Sequence, residues 1–256
     1  MGKVWFVGAG PGDAELITVK GMNLLAQAGA ILYAGSLVSE AVLKWASKDC
    51  EVADSKGMTL EQINDWLLTK AQKYPTVIRL QTGDPSLYGA LVEMARPLLD
   101  QNIEIAVVPG VSSAMASAAA AQETLTLPEV TQTVILTRVE GRTPMPAGES
   151  IEELAKHRCT CCIFLSVTLT AKITAAFIQA GWDEFSPVTV VKRASWPDEY
   201  ILQTNLKDLG EDIKKHEIKA QAMIIISPTL GAKNWDSLTK SKLYDKDFGH
   251  KFRKAE

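Results

Sequence analysis

The sequence has no long hydrophobic run. Its greasiest stretches, residues 161–167 and 222–227, fall far short of the ~20 residues needed to cross a bilayer. It also lacks an excess of one charge. Lysine and arginine number 27 and aspartate and glutamate 30, a net charge of −3. That balance gives no global attraction to nucleic acid or to an anionic membrane, although a local basic cleft for an acidic substrate stays open. Cysteine is scarce: four residues, three of them within 159–162, do not make a secreted disulfide framework. Residues 3–7 are too short an apolar run for a secretory leader, and no small-residue cleavage pattern follows them. These absences predict a cytoplasmic protein that engages neither membrane nor nucleic acid.

What is present is alternation. Hydrophobic residues make up 46% of 256, enough to fill two ordinary cores. Short β-branched runs at 3–7, 30–33, 76–80 and 105–108 read as strands. Between them lie helical patterns: one opening at Thr18 as N-cap and ending near Gly29, and one opening on the capping-box pair Thr59 and Gln62 and running to Lys73. Leu87, Leu91, Met94 and Leu98 mark a third helix face, with a kink or end at Pro97. An alanine-rich helix covers 113–122. Strand–helix alternation of this kind implies a mostly parallel sheet. After a hinge-like stretch at 124–130 the pattern resumes, with strands at 133–137, 161–166, 188–192, 200–204 and 223–227 and helices at 151–157, 171–180 and 206–216. The adjacent runs 188–192 and 200–204 suggest an antiparallel pair, so the second sheet is mixed. The expected fold is α/β: two domains, 1–123 and 131–232, each a sheet flanked by helices, followed by a loose, lysine-rich polar tail at 233–256.

Open parallel sheets bind ligands beyond the carboxyl ends of their strands. Glycine turns sit in those positions: Gly8–Gly12 after the first strand, Gly83–Pro85 after the third and Pro109–Gly110 after the fourth. The first turn, Gly8-Ala9-Gly10-Pro11-Gly12-Asp13, invites a dinucleotide reading and fails it. The sixth position of that fingerprint is Asp13 rather than glycine. Pro11 has no N–H to offer an anion. Asp13 and Glu15 put negative charge where a pyrophosphate would lie, and the next helix opens too late for its dipole to help. No acid closes the second strand, and no Gly-Lys-Ser/Thr follows. The turn Gly83-Asp84-Pro85 repeats the message. Two acidic glycine turns at one sheet edge disfavour phosphate and suit a neutral or cationic ligand, such as a sulfonium, or ribose hydroxyls. Asp84 initiating a plain turn remains the alternative.

Other constellations carry less. His157, Cys159, Cys161 and Cys162 suggest zinc, but successive side chains on one strand face stand about 6.6–7 Å apart, too far for one tetrahedral ion. No metal is expected. No Gly-x-Ser-x-Gly elbow accompanies the three histidines. Arg138, Arg142 and Arg193, at or past strand ends, could meet substrate carboxylates. Trp196-Pro197 beside Arg193 points to a pocket wall.

Taken together these stretches resemble the S-adenosylmethionine-dependent tetrapyrrole (corrin/porphyrin) methylase family. The carriers are Val7-Gly-Ala-Gly-Pro-Gly-Asp13 with Leu16-Ile-Thr-Val-Lys-Gly21, Arg79-Leu-Gln-Thr-Gly-Asp-Pro-Ser-Leu-Tyr-Gly89 and Val108-Pro-Gly-Val-Ser-Ser113. Three more, Tyr33-Ala-Gly-Ser-Leu-Val38, Thr137-Arg-Val-Glu-Gly-Arg-Thr-Pro144 and Arg193-Ala-Ser-Trp-Pro-Asp-Glu199, are similar to the branch that methylates carbon 11 of a corrin precursor, precorrin-4 or its cobalt form, in cobalamin synthesis. The resemblance runs from about residue 3 to 231.

It implies a homodimer with the methyl donor, S-adenosylmethionine, held in a cleft between the two domains and released as S-adenosylhomocysteine. It further implies donor contacts at Pro11, Gly83, Asp84, Pro85, Ser112, Ser113, Leu165, Ala194, Ala222 and Met223, with Tyr88, Arg138, Arg142 and Arg193 toward the tetrapyrrole. No catalytic base is identified; Asp84 is the one candidate for a catalytic part. Two other readings are a methylase of the same family acting on another corrin position or on uroporphyrinogen, and a nicotinamide-dependent oxidoreductase. The broken fingerprint argues against the second.

Overall fold

The computed structural model describes residues 2–238 and 241–254. Two compact units divide the chain. The first is Met1–Ala116 together with Arg193–Glu199; the second is Ser117–Lys192 and the chain from Tyr200 onward. The elements of the first part are β1 (Lys3–Gly8), α1 (Val19–Gln27), β2 (Ala30–Tyr33), β3 (Glu51–Asp54), α2 (Leu60–Lys73), β4 (Thr76–Gln81), α3 (Leu91–Asp100), β5 (Ile105–Val108) and α4 (Ser113–Ala120). They are followed by β6 (Val134–Arg138), α5 (Ile151–Ala155), β7 (Thr160–Phe164), α6 (Thr170–Gln179), β8 (Pro187–Lys192), β9 (Tyr200–Asn205), α7 (Leu209–Lys215) and β10 (Ala222–Ile226).

The first sheet is wholly parallel, in the order β3-β2-β4-β1-β5. Its strands alternate between two cores, as period-two side chains must. Val4, Phe6, Ala30, Leu32 and Val77 face one core with Leu67, Met94 and Leu98 of α2 and α3. Val7, Ile31, Tyr33, Ile78 and Leu80 face the other with Leu25 of α1. Each fully buried large apolar side chain contributes about 1.5–3 kcal/mol. The capping box of Thr59 and Gln62 opens α2 with both reciprocal bonds in place. Pro97 lies inside α3, and Leu87 lies before that helix.

The second sheet is mixed, in the order β6-β7-β10-β8-β9. β6 and β7 are parallel, and the other pairs are antiparallel. Its core joins Ile163, Val188, Val190, Ile224 and Ile226 to Ile173, Phe177 and Trp182.

Two expectations need correction. The stretch 124–130 is fastened rather than hinge-like. The Thr124 carbonyl accepts from Thr229 Oγ1 at 2.6 Å, and that of Leu125 accepts from Thr160 Oγ1 at 2.7 Å. The Thr160, Ser227 and Thr229 hydroxyls form one chain, 2.5 and 2.8 Å apart. The tail is not wholly loose either. Lys233 Nζ donates to the Ala121 carbonyl at 2.9 Å and pairs with the buried Glu123 carboxylate at 3.3 Å. Farther on, Arg253 donates to the carbonyls of Leu243, Tyr244, Asp245 and Phe248. Residues 239–240 and 255–256 of that tail lie outside the described residues. Among the described residues no helix is long and apolar enough to cross a membrane, and no group of three His, Cys, Asp or Glu could hold a metal ion.

Candidate functional site

Three loops converge at the carboxyl ends of β1, β4 and β5. Gly83 N donates to the Gly10 carbonyl at 2.8 Å, and Gly10 N returns a longer bond of 3.4 Å to Gly83 O. Gly110 packs against both neighbours. A Cβ there would lie 2.0 Å from the Gly83 carbonyl oxygen and 2.9 Å from Gly8 Cα, so only glycine fits.

Asp84 locks the arrangement. Its Oδ2 accepts from Gly110 N at 2.9 Å; its Oδ1 accepts from Ser86 N at 2.8 Å and from the Ser86 hydroxyl at 2.5 Å. Partial burial opposes ionisation of this carboxyl, but the bonds from Ser86 and Gly110 outweigh it and hold the group below the usual aspartate range.

Several of the loop amides that a phosphate could use are already engaged. Ala9 N donates to Gln81 O, Asp13 N to Ser195 Oγ, Glu15 N to Asp13 Oδ1, and Ser86 N and Gly110 N to Asp84. A single turn of 3-10 helix, Ala14–Leu16, intervenes before α1, whose N-cap is Thr18. The failure of the nucleotide fingerprint thus has a geometric basis.

Beneath these loops, Arg79 and Gln81 project from one face of β4, 6% and 5% exposed. Arg79 Nη1 donates to Ser55 Oγ at 2.9 Å, and Gln81 Nε2 to the Gly89 carbonyl at 2.5 Å. Burial pushes the Arg79 guanidinium down to about 10, against the opposing pull of Asp54. These two side chains brace the loops after β3 and β4. Their roles went unread in the sequence, although a charged and an amide side chain inside a strand of buried pattern was the available signal.

Pro11, Gly83, Pro85, Ser112 and Ala194 are buried in the first unit, with Asp84 and Ser113 partly exposed beside them. Tyr88, 49% exposed, follows in the β4–α3 loop. In the second unit, Arg138 ends β6 in register with Phe164, which ends β7. Leu165 comes next, 67% exposed. Ala222 opens β10 opposite Lys192 of β8. Continuing the pairing of Ile224 with Ile163 brings Ala222 to the level of Leu165, with the buried Met223 following it. Leu165, Ala222 and Met223 therefore share one edge of the second sheet with Arg138.

Two of the arginines are engaged internally. Arg138 donates to the carbonyls of Thr143 and Pro144 at 3.2 and 2.7 Å. Arg193 pairs with Asp198 at 2.9 Å and lies over the Trp196 ring. Arg142 is exposed.

Left-handed backbone occurs at several of these places, and also at Glu129 in the 124–130 stretch, whose φ is 62°. Tyr88, Ala90, Leu165, Arg193, Ser195 and Gln221 all have φ between 49° and 67° without being glycine. Asn102, Gln122, Arg158 and Glu217 share that conformation but follow helix ends, where it is ordinary. The first six lie at strand ends or in loops, where such conformations cost about 1–3 kcal/mol each and persist only when the surroundings enforce them.

Comparison with known proteins gives a consistent picture. Residues 3–210 match the family model described as Tetrapyrrole (Corrin/Porphyrin) Methylases. A cobalt-precorrin-4 C(11)-methyltransferase from Priestia megaterium is 48% identical over 253 residues, 99% of this chain and 98% of that protein. The X-ray structure of a cobalamin biosynthetic enzyme, a cobalt precorrin-4 methyltransferase, aligns with a TM-score of 0.85 at 48% identity, covering 88% of this chain and 94% of that one. A uroporphyrin-III C-methyl transferase from Thermus thermophilus, complexed with S-adenosylhomocysteine, aligns at 0.75 with 30% identity, covering 90% and 94%.

Proposed function

Because the chain belongs to the tetrapyrrole (corrin/porphyrin) methylases, we propose that it transfers a methyl group from S-adenosylmethionine to carbon 11 of precorrin-4 or cobalt-precorrin-4 in cobalamin biosynthesis. The observation that carries this reading is 48% identity across nearly the whole of a cobalt-precorrin-4 C(11)-methyltransferase. The loop chemistry supports the donor. Engaged amides and two acidic turns suit a ligand without phosphate and with positive charge. When bound, the sulfonium supplies a methyl group that is already activated for in-line displacement.

The protein's own work is then placement and exclusion of water. We assign Pro11 and Pro85 as apolar walls, and the backbone at Gly83, Ser112, Ser113 and Ala194 as the rest of the donor site in the first unit. Leu165, Ala222 and Met223 are its counterparts in the second. Asp84 acts by fixing Gly110 and Ser86. Tyr88 and Arg142 are the assigned tetrapyrrole contacts; Arg138 and Arg193 could join them only by giving up present partners. The same reading takes the chain as cytoplasmic and as a homodimer, and light scattering tests the dimer.

Calorimetry is expected to show heat with S-adenosylhomocysteine and none with NAD or ATP; the reverse pattern overturns the proposal. Methyl-labelled donor incubated with a panel of corrin precursors should place the label on carbon 11 by NMR. A label on another carbon overturns the assignment of position and keeps the family.

A further inference from the structure

The first glycine turn is held from outside its own loop. Trp196 Nε1 donates to the Pro11 carbonyl at 2.8 Å. Its ring lies directly on Gly12, where a Cβ would come 2.2 Å from the indole Cδ1. Beside it, Ser195 Oγ accepts from Asp13 N at 3.0 Å. Three consecutive residues, Pro11, Gly12 and Asp13, are thus each touched by Ser195 or Trp196. The segment that reaches them is itself stiffened. Ser195 N donates to Glu199 Oε2 at 2.6 Å, Arg193 pairs with Asp198, and its guanidinium stacks 4.1 Å from the Trp196 ring centre. Arg193 and Ser195 both hold the left-handed conformation, with the buried Ala194 between them.

We propose that Trp196 is a positioning residue for the methyl donor. Acting through the Pro11 carbonyl and the face of Gly12, it sets the first glycine turn against the backbone of Ala194, so that both are in place before the donor arrives. This rests on the donor site proposed above. Preorganisation of this kind raises affinity because the ordering cost is met in advance. It also gives Arg193 a role distinct from substrate binding: it backs the indole. Plain loop packing would explain one contact. It does not explain two strained residues flanking the one alanine of the segment, or a glycine kept bare so that an indole can rest on it.

Trp196→Phe keeps a ring over Gly12 and removes the N–H. S-Adenosylhomocysteine binding by calorimetry should weaken about threefold to tenfold, the loss expected for one partly buried hydrogen bond, with a melting temperature close to that of the parent. In a proton–nitrogen spectrum of the parent, the indole resonance of Trp196, assigned by its absence in the variant, should move on saturation with S-adenosylhomocysteine. That of Trp182, whose N–H donates to the Ala155 carbonyl at 2.9 Å, should not. If Trp196→Phe fails to fold, Ser195→Ala tests the same brace and should weaken binding about twofold to threefold. Parent-like affinity in the folded variant, or an unmoved Trp196 resonance, overturns the inference and leaves the proposed function standing. A parent protein that binds no S-adenosylhomocysteine overturns both.

Discussion

The two glycine turns of the first unit share their residue types and differ in how they are held. Gly83-Asp84-Pro85 is held by its own aspartate, which spends both carboxylate oxygens on Ser86 and on Gly110 of the neighbouring loop. Gly10-Pro11-Gly12-Asp13 is held by Trp196 and Ser195 from much later in the chain, while Asp13 merely caps the short turn Ala14–Leu16. An aspartate beside a glycine is therefore not one feature. In one turn it is a strut between loops, and in the other it is a local cap.

The comparison breaks most visibly at Gly110. Gly110→Ala would drive a methyl into the Gly83 carbonyl, and S-adenosylhomocysteine binding is expected to fall more than about a hundredfold with a lowered melting temperature. Near-parent affinity would show that the second turn does not need its close approach. Asp84→Ala comes next. Loss of the charge-assisted bonds should weaken donor binding more than about tenfold, against about twofold or less for Asp13→Ala. Equal losses in calorimetry would erase the distinction between strut and cap.

A smaller effect concerns pH. The Asp84 carboxyl is held below its ordinary value in the folded chain. Its contribution to stability is therefore present above the unfolded value of about 3.9 and is lost as pH falls through the lowered folded value. Asp84→Asn should flatten the fall of melting temperature below about pH 4. The smallest effect is a control away from both turns. Thr59→Ala removes the capping box of α2 and should cost about 1 kcal/mol, a few degrees of melting temperature at most, without changing donor affinity.

Much of the fold was legible because local physics dominated it. Short β-branched runs located nine of the ten strands among the described residues, and Thr18 and Thr59 announced their helices by side-chain chemistry that needs no tertiary context. The adjacency of two β-rich runs at 188–192 and 200–204 gave the antiparallel pair. The missed strand, β3, reads Glu-Val-Ala-Asp and sits at the sheet edge, where one valine is 45% exposed and no alternation survives. Its recognition depended on β2 being next to it. The candidate site was legible in its glycines and prolines, whose backbone demands are local. It was not legible in its partners. That Asp84 reaches Gly110, that Arg79 reaches Ser55, and that Arg193–Glu199 groups with the first unit are facts of three-dimensional neighbourhood that no spacing encodes.

The indole lying on Gly12 has a consequence for descent. Positions 12 and 196 are therefore expected to vary together. While the indole keeps its present place, a Cβ at 12 would come 2.2 Å from its Cδ1, so the ring would have to shift. A lineage that first shrinks position 196 releases position 12 to drift. Relatives of this chain with a small residue at the aligned position 196 should therefore carry side chains at 12, and those retaining the indole should carry glycine.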